Sequence, residues 1–227
     1  EAPVKPVIEI TSRGDVPIDE DESSQVVISG TARGFQAGDR LRVVAQLAED
    51  PGNYNFDKTI VVAENGDWAT PEQNIRDWPS GDINLTVTGK NANDQEAGAA
   101  EGTITYEDTT PPTVYGEIDF SSPEVPVDGE KVTITVNFSE LVTDVTATVG
   151  GVAVKFEGND PAQQWVGETE EAVTLSSNED TITAVVNAGY KDLSGNVAES
   201  DKETSTVVKP IILMQDISDL TTTEAED

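Results

Sequence analysis

Apolar and polar residues alternate with a period of two through much of this chain. In Arg40–Leu47 the apolar positions are Leu41, Val43, Ala45 and Leu47, and Ile83, Leu85 and Val87 repeat the pattern. Val132, Ile134, Val136 and Phe138 alternate with Thr133, Thr135 and Asn137, and Ile182, Ala184 and Val186 do the same further on. Side chains along a strand point to opposite faces in turn, so each stretch has one wet and one dry face. Antiparallel sheets with a single buried side read this way. No segment sustains a helical period. Turn residues separate the runs at Asn65-Gly66, Ser80-Gly81-Asp82, Asp128-Gly129 and Ser194-Gly195-Asn196. Gly150-Gly151 sits between Val145–Val149 and Val152–Phe156, where a two-residue hairpin turn is expected. Short strands with frequent turns point to β-sandwiches.

A length of 227 residues suits two small domains better than one. Val4-Lys5-Pro6-Val7-Ile8 returns as Val208-Lys209-Pro210-Ile211-Ile212, and Thr110-Pro111-Pro112-Thr113-Val114 lies between them. Proline cannot extend a ladder and therefore suits a linker or the first residue of a strand. The spacing predicts an all-β chain of two tandem immunoglobulin-like Greek-key sandwiches arranged end to end. Module 1 is expected over 1–107 and module 2 over 108–209, with 210–227 the start of a next module or a disordered tail. The opening Glu1-Ala2-Pro3-Val4 falls inside the repeating pattern, as in an internal fragment.

Cysteine and histidine are both absent. That excludes disulfides, His-ligated zinc, and Ser–His–Asp or Cys–His catalysis. The formal charge is -31, from 44 acidic and 13 basic residues. Such a chain repels nucleic acid and anionic membranes. No apolar run approaches the roughly 20 residues of a membrane span. Folding crowds the carboxylates, and divalent cations are the natural counter-charge, with calcium best suited to oxygen-rich sites. The plainer reading is that the acid excess confers solubility.

Several motifs, in order, resemble a known group. They are Ile28-Ser29-Gly30-Thr31-Ala32, Ala37-Gly38-Asp39, Glu64-Asn65-Gly66-Asp67-Trp68 and Pro79-Ser80-Gly81-Asp82. Asp108-Thr109-Thr110-Pro111-Pro112 is similar to the linker that begins many such repeats. Val136-Asn137-Phe138-Ser139-Glu140 and Tyr190-Lys191-Asp192-Leu193-Ser194-Gly195-Asn196 resemble the paired signatures of a related repeat. Together they resemble the bacterial Ig-like extender repeats of large secreted adhesins, over nearly all the chain before Pro210. The resemblance implies a non-catalytic, monomeric spacer at the cell surface. It would be flanked by like modules and bind calcium at or near module junctions to support adhesion or biofilm formation, in a class of proteins often exported by type I secretion. No glycine-rich nonapeptide calcium repeats are present.

Calcium takes six to eight oxygens. The best candidate ligands are Asp108 at the start of module 2, Glu140 at the end of a strand, and Asp192 and Asn196 in the loop before the last strand. Each has a plainer role, Asp108 as a turn cap and Asp192 and Asn196 as turn residues. A matching group in module 1 is Asp19, Glu20, Asp21, Asp39 and Asp94, although a run of acids such as 19–22 commonly forms a solvated loop. Asp94 is expected to face the Asp108 linker. Trp68, Trp78, Trp165 and Tyr54 suit either a sugar platform or half-buried packing. With 44 acids, no carboxylate pair stands out for glycoside hydrolysis. The competing functions are a glycan- or protein-binding module and an accessory domain of a secreted hydrolase.

Overall fold

A computed structural model describes residues 5–12, 17–19, 21–122, 126–158, 160–174 and 181–208. The segment 210–227 and Glu20 lie outside the described residues. All regular structure among the described residues is β. The described residues divide into two compact units. One contains those up to Thr113 with Ser139–Asp144 and Gly189–Glu199, and the other contains Val114–Phe138, Val145–Ala188 and those from Ser200 on.

Seven strands follow one another among the described residues up to Tyr106. They are β1 (Val7–Ser12), β2 (Ser29–Arg33), β3 (Arg40–Leu47), β4 (Asn55–Val61), β5 (Asp67–Ala69), β6 (Gly81–Gly89) and β7 (Ala100–Tyr106). They form two sheets, ordered β1-β2-β5 and β4-β3-β6-β7. The chain changes sheet from β2 to β3, from β4 to β5 and from β5 to β6, which is the crossing pattern of an immunoglobulin-like sandwich. Ile8, Ile28 and Trp68 from one sheet and Leu41, Val43, Leu85 and Val87 from the other fill one continuous core. These are the dry-face residues of the alternating runs, as single-sided burial requires. Gly30 pairs with Trp68 across β2 and β5. A Cβ there would stand 1.9 Å from the Glu9 carbonyl oxygen and 2.6 Å from the Trp68 ring, so the position admits only glycine in this packing.

The later strands are β8 (Asp119–Ser122), β9 (Thr133–Thr143), β10 (Ala147–Val149), β11 (Val152–Glu157), β12 (Ala162–Thr169), β13 (Thr181–Val186), β14 (Lys191–Asp192) and β15 (Lys202–Val207). Their order is β14-β9-β12-β11-β10-β13-β15, with β8 also beside β9. Strand for strand, β8-β9-β12 and β11-β10-β13-β15 repeat the two sheets of the first set. The difference lies at one edge. Here β11 and β12 pair directly from Val154↔Thr169 to Glu157↔Val166, joining the two sheets. The β10–β11 turn is Gly150-Gly151 at φ 56° and 80°, the doubly positive geometry that a tight primed hairpin demands. Ile134, Val136, Phe138, Val149, Ala184 and Val186 are buried on the facing surfaces.

A shared brace ties the two sets together as repeats. Just ahead of β2, Ile28 N donates to Thr70 Oγ1 at 3.0 Å, and Thr70 N donates to Ile28 O at 2.8 Å. Just ahead of β9, Val132 N donates to Thr169 Oγ1 at 3.0 Å, and Thr169 N donates to Val132 O at 2.9 Å. Both threonines are buried, so no water can replace the hydroxyl. Thr70→Val and Thr169→Val each keep the side-chain volume but orphan a buried N–H, at an expected cost of about 1–3 kcal/mol. Urea unfolding of each variant checks this. Costs near zero would mean that the hydroxyls hold nothing in place.

Candidate metal centre

The site forms within the first unit from three distant stretches of chain. β9 continues the dry-face row Val132, Ile134, Val136 and Phe138 to Glu140 and Val142. By strand parity alone, Glu140 must point inward, and it is 6 % exposed. The short β14 pairs with the end of β9, with Asp192 opposite Val142. Directly paired residues share a sheet face, so Asp192 emerges on the same side as Glu140. Asp108 arrives from the end of β7, two residues after the fully buried Tyr106. Asp108 and Asp192 are 7 % and 4 % exposed. One carboxylate oxygen from each of Asp108, Glu140 and Asp192 lies within 4.8 Å of the others.

Hydrogen bonds hold this arrangement in place. Asp192 Oδ1 accepts from Asn196 N at 2.9 Å and Oδ2 accepts from Asn196 Nδ2 at 2.8 Å. The same Nδ2 donates to the Asp108 carbonyl at 3.0 Å. Asp108 N donates to Ser80 Oγ at 2.9 Å, and Ser80 N donates to Ser194 Oγ at 3.0 Å. Thr110 N donates to Asp108 Oδ1 at 3.0 Å, closing an Asx turn. Arg76, beside Trp78, lines the same small cleft and brings a positive charge to it. Ser80 and Ser194 read in the sequence as ordinary turn residues, and nothing in their local pattern marks them as a clamp.

Three carboxylates this close and this buried form a concentrated cluster of oxygen ligands that a cation would bridge. The donor set is all oxygen, which selects a hard cation over zinc or copper. Calcium–oxygen distances of about 2.3–2.6 Å place two ligands of one ion up to about 5.2 Å apart, so the observed spacing fits calcium. Magnesium requires a tighter octahedron and retains its waters.

Of the sequence candidates, the structure brings together Asp108, Glu140, Asp192 and Asn196, with Asn196 as a hydrogen-bond donor. No other trio of acidic residues converges this way among the described residues. Asp19 Oδ1 accepts from Glu22 N at 3.1 Å within its own turn, and Asp21 is exposed. Asp39 Oδ2 accepts from Gln36 N at 2.8 Å and from Ala92 N at 3.3 Å. Asp94, 88 % exposed, stands 3.4 Å from Lys90. Contrary to expectation, Asp94 does not face the Asp108 linker. It precedes β7 and Asp108 follows it, so the strand's length, roughly 20 Å, separates them. Among the aromatics, Trp68 is core. Trp78 packs with Tyr54 and Phe56 at centroid distances of 6.2 and 6.3 Å. Trp165 meets Phe156 edge-on at 5.6 Å and donates Nε1–H to the Ala162 carbonyl.

No known family model matches the chain, and no curated protein sequence does. Several solved structures show a distant similarity to the chain. A tetra-tandem repeat from the extending region of a large adhesion protein is 11% identical with a TM-score of 0.40, over 90% of this chain and 49% of that one. A Ca2+-stabilized, ice-binding adhesin of an Antarctic bacterium is 20% identical with a TM-score of 0.34, over 89% of this chain and 48% of that one. A tandem immunoglobulin pair from titin is 8% identical with a TM-score of 0.37, over 91% and 98%. The chain thus spans about half the length of either adhesin structure. No helix of the described residues is long and apolar enough to cross a membrane.

Proposed function

We propose that this chain is a non-catalytic extender segment of a bacterial cell-surface adhesin, stiffened by calcium held by Asp108, Glu140 and Asp192. The buried convergence of these three carboxylates is the observation that carries the reading. Calcium adds positive charge at the point where the three carboxylates converge, beside that of Arg76. Asn196 orients Asp192, while Ser80 and Ser194 hold Asp108 at its backbone. With the cation in place, the segment leaving β7 is fastened to β9 and β14, which limits bending along 108–113. Without it, the hydrogen bonds through Asn196, Ser80 and Ser194 are left to hold these stretches alone. A stiff spacer that projects a distal adhesive region needs such a fastening. External calcium at millimolar levels suffices for a site of ordinary extracellular affinity, with Kd about 10⁻⁴–10⁻³ M.

A glycan-binding module is the rival reading. It rests on Tyr54, Phe56 and Trp78, but their rings are tilted by 56° and 46° to one another and pack against the core, unlike a flat stacking platform.

The test is a thermal melt in calcium, magnesium and chelator. At 10 mM calcium the expected stabilisation is about 1.4–2.7 kcal/mol for that affinity range. Asp192→Asn should lose the calcium-dependent part of this stabilisation, so its melt should be the same in calcium and in chelator, and lowered in both by the hydrogen bond that an amide nitrogen cannot accept from Asn196. Identical melts in all three solutions would sink the calcium reading and turn attention to glycan screening.

A further inference from the structure

The two repeats close the same loops differently. In the later repeat, Asp192 N donates to Asn196 O at 3.2 Å, and Asn196 N returns a bond to Asp192 Oδ1 at 2.9 Å. In the earlier one, Asn91 N donates to Gln95 O at 3.0 Å, and Gln95 N returns a bond to Asn91 Oδ1 at 3.0 Å. The two five-residue loops are thus superposable in their bonding, with Asn91 where the other repeat has Asp192. At the Asp192 position the first repeat therefore carries a neutral amide.

We infer that the first sandwich fastens these loops by hydrogen bonds alone, so the chain takes one calcium ion for its two repeats rather than two. This rests on the reading of Asp108, Glu140 and Asp192 given above. Asn91 is 7 % exposed, and its carboxamide is fully engaged. Nδ2 donates to the Gly34 carbonyl at 2.9 Å and to Gln95 Oε1 at 3.1 Å, while Oδ1 also accepts from Asn93 N at 3.1 Å. The Nδ2–Gly34 bond joins the 91–95 loop to the stretch after β2, and a carboxylate could not donate it. Asp39 makes a second tie by accepting from both Gln36 N and Ala92 N. An amide and a single carboxylate, each aimed at backbone, do in this repeat what a cation does in the other. Asp39 is then a staple and not a ligand.

Calcium stoichiometry on the full chain, measured by equilibrium dialysis against calcium chloride and by native mass spectrometry, tests this. The expected count is one ion for the parent, none for Asp192→Asn, and one for Asp39→Asn and for Asn91→Ala. Asn91→Ala should also lower the melting temperature by the same several degrees in calcium and in chelator. A parent count of two, falling to one in Asp39→Asn or Asn91→Ala, would overturn the inference and leave the Asp108 site standing. A drop for Asn91→Ala seen only in calcium would overturn it as well. A parent count of zero with the Asn91→Ala drop unchanged would sink the calcium reading and spare the hydrogen-bonded closure.

Discussion

Gly30→Ala is expected to destabilise the first unit by about 3 kcal/mol or more, at the upper end of what overpacking costs. The added methyl would sit 1.9 Å from the Glu9 carbonyl oxygen and 2.6–2.8 Å from Trp68 ring atoms, below any distance that a real Cβ shows. Neither obstacle is the loose end of a flexible side chain. Glu9 is held in register by β1–β2 pairing, opposite Thr31, and Trp68 is 3 % exposed. Relief requires β1 to separate from β2 or the indole to leave the core. Because the units are compact in their own right, the loss should appear in one transition of a thermal or urea melt and spare the other. A melting-temperature drop of about 12 °C or more is expected from the size of the unit. A change below 2 °C would mean that the β2–β5 pairing is looser than described.

Phe138→Ala tests the other unit. The side chain is 2 % exposed and among the largest of the fully buried ones. Truncating a buried phenylalanine costs about 3–5 kcal/mol through lost transfer energy and the cavity left behind. Phe138→Leu refills most of that volume and should recover more than half of the loss. Guanidinium unfolding followed by tryptophan fluorescence reports on this unit through Trp165, which packs on Phe156. If Phe138→Ala lowered only the transition reported by Trp68 and Trp78, the assignment of β9 up to Phe138 to the second unit would be wrong.

The long strands were legible because period two survives over six or more residues. β3, with its buried row Leu41, Val43, Ala45 and Leu47, and β13, with Ile182, Ala184 and Val186, carry it without a break. β5 and β14, at three and two residues, are too short to show any period. β12 escapes for another reason: its pattern is partly exposed on both faces near Gln163 and Gln164, so no clean alternation forms. At the site, Asp108, Glu140 and Asp192 could be picked from their motifs, and the burial of Glu140 follows from sharing parity with Phe138. The Ser80–Ser194 contact was not legible, because it joins turns far apart in sequence through hydroxyls that any turn could carry. The separation of Asp94 from Asp108 follows from the length and direction of β7, which neither residue's local motif reveals.

The three carboxylates come from the end of β7, the end of β9 and β14, so Asp192 is the last of them to appear when the chain emerges from its N-terminus. Until residues near Asn196 have been delivered, Asp108 and Glu140 have neither their third carboxylate nor the amide that aims it. A chain stalled at residue 185 would hold both earlier acids and nearly all of its strands, and would still lack the third carboxylate of the proposed site. Under the calcium reading proposed above, ion capture would therefore register the delivery of the 191–196 loop.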